Sequence, residues 1–129
     1  MNFLLELHGS IRWWLLLIAV VALVRYGLGW QGKRPFQSLD RTLMTAFTGL
    51  LDLNLLLGLI LIIFGGGLNN ARIIHALTML VAIIVAHATA SWRKSGTDTV
   101  KFRNNLIVVI VVMVIVFIGV INLRGGWLF

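Results

Sequence analysis

The chain has 129 residues, 60% of them hydrophobic and 12% charged, with a mean hydropathy of +1.00. A soluble domain carries about a quarter of its residues as charges. Four membrane-crossing helices of about 20 residues each use most of this length, which excludes a separate soluble domain and a large extramembrane active site.

The first predicted helix covers about 2–30. Its apolar core, Trp13 to Val24, is bracketed by Arg12 and Arg25. Glu6, the lack of an early Lys or Arg, and the lack of a small-residue cleavage site after Val24 predict a retained anchor, not a signal peptide. A basic turn, Lys33-Arg34-Pro35-Phe36, follows, and Asp40 reads as a cap for the next helix. The second predicted helix covers about 43–64 and is apolar except for Thr45, Thr48, Asp52 and Asn54; Gly65-Gly66-Gly67 ends it. The third, about 71–92, carries His75, Thr78, His87 and a small-residue stripe of Ala82, Ala86 and Ala90. The fourth, about 106–123, is a Val/Ile-rich run with no ionisable residue. β-Branching does not oppose a helix there, because lipid offers the backbone no solvated alternative.

The expected architecture is all-α: an integral membrane antiparallel four-helix bundle with left-handed crossings, in one domain over 1–129. Eleven Lys and Arg stand against four Asp and Glu, a formal charge of +7. These charges flank apolar segments, so they read as topology signals facing anionic headgroups and not as a nucleic-acid surface. Eight basic residues (Arg25, Lys33, Arg34, Arg41, Arg93, Lys94, Lys101, Arg103) belong to one side and three (Arg12, Arg72, Arg124) to the other. That bias places loops 31–42 and 93–105 in the cytoplasm and both termini on the non-cytoplasmic side. Trp13, Trp14, Trp30, Trp92 and Trp127 fall near the predicted interfaces. The chain has no cysteine, which rules out disulfides, thiolate metal sites and iron–sulfur clusters.

Asp52 is the leading ionisable residue, because it falls near mid-membrane, where a carboxyl is costly and usually faces the bundle or a wet cavity. Thr45, Thr48 and Gly49 share its stripe, which is expected to face other helices. Two roles fit it: a proton-transfer or ion-coupling group, or a hydrogen-bonded lock on helix packing. His8 and His75 are expected at matching depth below the non-cytoplasmic face, where two imidazoles on facing helices can supply both axial ligands of a haem. Two independent interfacial histidines, or a hydrogen bond between them, fit the same positions. Met79, four residues after His75, is a second soft ligand candidate, and Arg12, one turn after His8, can neutralise a propionate or reach headgroups. His87 falls within two turns of the depth of Asp52. The pair suits a proton relay, but a plain helix-end histidine meeting headgroups suits the position better.

The stretches His8-Gly9-Ser10-Ile11-Arg12-Trp13, Gly29-Trp30-Gln31-Gly32-Lys33-Arg34-Pro35-Phe36, Asp52-Leu53-Asn54-Leu55-Leu56-Leu57-Gly58-Leu59, His75-Ala76-Leu77-Thr78-Met79-Leu80 and Ala86-His87 resemble a group of small bacterial four-span membrane proteins often labelled cytochrome b-like. The resemblance spans the first three predicted helices in order. Members commonly place Pro where this chain has Ala76, and some carry His at the position of Asp52 or Glu6. It implies a compact, histidine-bearing protein of the bacterial cytoplasmic membrane.

Three functions follow as expectations. One is a b-type haem or quinone-linked electron-transfer subunit using His8 and His75. Another is a non-catalytic accessory subunit of a larger respiratory or photosynthetic complex. A third is a small proton- or cation-coupled carrier using Asp52 with His87. The expected partners are the lipid bilayer and either further copies of the chain or larger membrane subunits, with no nucleic acid.

Overall fold

The computed structural model of the chain describes residues 2–32, 34–65 and 68–126. Lys33, Gly66, Gly67 and Trp127 lie outside these residues, as does the side chain of Arg124. The helices are α1 (Asn2–Gly32), α2 (Ser38–Phe64), α3 (Asn70–Ala88), α4 (Ala90–Lys94) and α5 (Asp98–Arg124), with no strand among the described residues. Four stretches are long and apolar enough to cross a membrane: α1, α2, α5, and α3 with α4 taken together.

Local chemistry explains where the helices end. Pro35 disfavours helical backbone at the residue before it, so α1 stops at Gly32. Asn69 caps α3 by accepting the Arg72 N–H at 2.9 Å. Thr89 donates its hydroxyl back to the Val85 carbonyl at 2.6 Å and adopts φ −89°, ψ 3°, separating α3 from α4. The third predicted helix is therefore two pieces. Gly125, at φ 82°, closes α5 in the left-handed conformation that glycine adopts without a Cβ penalty.

Two helices begin earlier than hydrophobicity alone predicts. α5 starts at Asp98 and not near 106, because Thr97 caps it and its polar first turns find partners. Asn104 donates to the Trp92 carbonyl at 3.3 Å and Asn105 to the Lys101 carbonyl at 2.8 Å; both side chains are buried. α2 starts at Ser38 and not near 43. Asp40 sits in its first turn and accepts the Gln37 N–H at 2.8 Å, so it closes a capping box instead of occupying the cap position itself.

α5 packs against both α1 and α3, α1 packs against α2, and α2 touches α3 least. The core joins Leu15, Ala19, Ala22 and Tyr26 of α1 to Met44, Phe47 and Leu51 of α2. It continues through Ala82, Ile83 and Ala86 of α3 to a row of valines on α5. Lipid tails are as apolar as leucine, so helix association in a membrane draws on close van der Waals packing. The fully buried Ala82 and Ala86 allow that closeness where α3 meets its neighbours. Large apolar side chains such as Leu17, Leu28, Leu56, Ile63, Ile84 and Ile118 cover the outside, as a hydrocarbon solvent requires.

The end of the bundle near residues 34–37 is tied by one buried carboxylate. Asp40 accepts from Arg25 Nε at 3.0 Å and from Arg34 Nη1 and Nη2 at 3.0 and 3.1 Å. Its backbone carbonyl accepts from the Tyr26 hydroxyl at 2.7 Å. Hydrogen bonding to Asp40 raises the pKa of Arg34 above its already high ordinary value. Arg34 also lies over the Phe102 ring at 4.5 Å, and Phe102 packs at a tilt against Phe36 and Tyr26. Through this carboxylate Arg25 faces protein.

Candidate functional site

A cavity of about 360 Å³ opens among α1, α2, α3 and α5 at the opposite end of the bundle. That volume falls at the small end of the range for small-molecule sites. Its polar lining consists of His8 and Arg12 from α1, Asn54 from α2, and Arg72 and His75 from α3; Met79 and apolar residues complete it. His8, His75, Met79 and Arg12, all singled out in the sequence, thus line one space.

The two imidazoles have ring centres 6.3 Å apart and planes 85° apart. Two metal–imidazole bonds of about 2.0–2.1 Å in line, with about 1.2 Å from each nitrogen to its ring centre, span about 6.4 Å. An ordinary edge-to-face ring contact also falls within this range, so spacing alone does not decide the role. The partner of the other ring nitrogen of His75 adds what spacing lacks. Its Nδ1 is 3.1 Å from the Gly119 carbonyl. A carbonyl only accepts, so the proton is on Nδ1 and Nε2 is the acceptor nitrogen of the ring. Metal-ligating histidines are held in this way, with the other ring N–H on a carbonyl or carboxylate.

Glycines make room for both rings. A Cβ at Gly58 would stand 3.1 Å from His8 Cε1, a tight contact, so the α2 backbone passes close to that ring at a residue without a side chain. A Cβ at Gly119 would stand 2.5 Å from Met79 Cε and 3.2 Å from Thr78 Cγ2. Gly119 therefore lets α5 approach α3 closely enough for its carbonyl to meet His75. Asn54 Oδ1 is buried with no hydrogen-bond partner among the described residues. Arg12 donates to the Gly9 carbonyl and lies 5.2 Å from the Trp13 ring centre.

Among the described residues, no three His, Cys, Asp or Glu side chains converge on a metal-sized point. Two histidines on one cavity are the ligand set needed by a metal whose remaining ligands come from its own cofactor. A haem iron, with four pyrrole nitrogens, is such a metal.

The structure also brings Asp52 and His87 together, but away from this cavity. His87 Nε2 lies 2.8 Å from Asp52 Oδ1 and 3.0 Å from Oδ2, and the two side chains are 55% and 48% exposed. Here the sequence expectation needs correction. The stripe of Thr45, Gly49 and Asp52 faces out of the bundle, with Thr48 partly covered, and a Cβ at Gly49 would meet nothing within 4 Å. Another stripe of α2, with Met44, Phe47 and Leu51, offers large apolar side chains, and those fill the core instead.

Several residues that position the site were not singled out in the sequence. Gly58 and Gly119 carry no chemical signature, and their role depends on which helix approaches them. Asn54 was visible as a polar residue inside an apolar span, the signal that marks intramembrane function. Arg93, counted only as a loop charge, is buried and donates to the Ala86 carbonyl at 2.8 Å near the end of α3.

Compared with models of protein families, with curated proteins and with solved structures, the chain matches none.

Proposed function

We propose that the chain is an antiparallel four-helix protein of the bacterial cytoplasmic membrane, with its termini away from the cytoplasm. In this reading His8 and His75 would hold a b-type haem, and the protein would pass electrons to or from a membrane quinone or a larger complex. The observation that carries it is the pair of imidazoles 6.3 Å apart on one cavity, one of them held through Nδ1 by a backbone carbonyl.

A bound haem supplies one-electron chemistry; the chain's residues supply the rest. The Gly119 carbonyl orients the His75 ring and makes its Nε2 a better donor to a metal. Gly58 leaves the His8 ring its place against α2. Arg12 and Arg72 bring two positive charges to the same cavity, which suits a ligand carrying two carboxylates. Apolar lining from α2 and α5 keeps water from the space between the rings and lowers its dielectric.

The test is the absorption spectrum of detergent-purified protein from haem-sufficient cells. The expected result is a Soret band that His8→Ala and His75→Ala each remove while the purified helix content stays the same. A colourless preparation overturns the reading and leaves the accessory-subunit function in its place.

A further inference from the structure

Asp52 and His87 lie within the apolar stretches of α2 and α3, yet each is about half exposed on the outside of the bundle. An ionisable pair in that position is costly to leave against acyl chains. Its hydrogen bonding is also incomplete. Both carboxylate oxygens face one nitrogen, Nε2, and His87 Nδ1 has no hydrogen-bond partner among the described residues. When the ring is protonated, the pair presents one unused donor, Nδ1–H, beside unused acceptor lone pairs on Asp52.

A surface that offers one donor next to one acceptor is complementary to itself across a two-fold axis. The backbone beside it suits the same contact. Thr45 and Gly49 stand exposed on α2 within two turns of Asp52, and the space over Gly49 is open. Small residues on an outer helix face are what allow another helix to approach in a membrane. α2 and α3 also share the smallest contact of any adjacent long helices.

We infer that two copies of the chain associate through α2 and α3. In the dimer, His87 of each copy donates through Nδ1 to Asp52 of the partner subunit, closing a four-member carboxylate–imidazole ring next to the Thr45–Gly49 stripe. Two protonated imidazoles and two carboxylates make this ring neutral, and every group in it gains a second partner away from lipid. The dimer does not depend on the two-histidine cavity, which lies elsewhere in the bundle.

The absence of native cysteine makes the test direct. The full chain carrying Gly49→Cys is reconstituted in phosphatidylcholine–phosphatidylglycerol vesicles at high lipid dilution and oxidised. Val114→Cys, on the exposed face of α5, serves as the comparison. The expected result is a disulfide-linked dimer from Gly49→Cys with only background linkage from Val114→Cys. On a cysteine-free background, energy transfer between labelled copies should fall at least tenfold in apparent association for Asp52→Asn and for His87→Asn. The exchanged variant Asp52→His/His87→Asp, which keeps both groups, should recover it. A chain that is monomeric in vesicles overturns the inference and points to a different subunit or a lipid-soluble ligand on this face. Equal linkage at both positions, or association unchanged in both single variants, overturns it as well.

Discussion

The hydrogen bond from His75 Nδ1 to Gly119 crosses from α3 to α5 and assigns the acceptor role to Nε2. Because the two imidazole planes stand 85° apart, haem-loaded ferric protein should give the strongly anisotropic low-spin paramagnetic resonance signal of perpendicular axial rings. A rhombic signal of near-parallel rings would contradict that arrangement. Gly58 makes a second prediction. A methyl there meets His8 Cε1 at 3.1 Å, so Gly58→Ala should be nearly neutral in the spectrum. Gly58→Val, with two further carbons at that spot, should displace the ring and reduce haem retention several-fold. The sequence could place His8 and His75 by counting helical turns from one face, because depth is set by rise per residue. It could not show that Gly119 supplies the carbonyl or that Gly58 yields space, since both depend on which backbones meet.

α1 and α5 meet at a position with no spare volume. A Cβ at Gly29 would lie 2.5 Å from two carbons of the fully buried Phe102 ring, and the ring is itself held by Phe36, Tyr26 and Arg34. Gly29→Ala should therefore destabilise by about 1–3 kcal/mol through overpacking, seen as a lower thermal midpoint in detergent with the cavity's spectrum unchanged below it. Asp40 joins α1, the 34–37 segment and α2. Asp40→Ala leaves Arg25 and Arg34, each 29% exposed, without their carboxylate. Because both arginines can turn toward water, the loss should be about 1–3 kcal/mol, below that for a fully buried pair. An unchanged midpoint would show that the node does not hold the helices. Hydrophobic runs located all four spans in the sequence but not the starts of α2 and α5, because the extra turns are stabilised by caps and asparagine bonds, not by apolar side chains. The outward turn of Asp52 was also hidden: Thr45, Gly49 and Asp52 were expected inward by polarity, while Met44, Phe47 and Leu51 occupy the core by volume.

Taken as one body, the protein has a different chemistry at each end. Arg25, Arg34, Asp40 and the buried Arg93 gather at one end, and the two-histidine cavity opens at the other. The positive-inside rule then predicts sidedness. A single cysteine at Ser95 should be labelled by an impermeant maleimide only after the cytoplasmic face is opened, whereas one at Leu68 should be labelled from outside; the reverse pattern would invert the topology. That expectation rests on the distribution of Lys and Arg alone, because charge beside a span acts one residue at a time. A cavity is a property of four helices together, and nothing in a linear pattern measures its width. The most direct test of that cavity's role is titration of haem-free protein with haemin in nanodiscs. The account predicts one haem per chain, a six-coordinate low-spin spectrum, and loss of that spectrum in both His8→Ala and His75→Ala with His87→Asn unaffected. Binding that survives both alanine variants, or no binding by the unaltered chain, would contradict it.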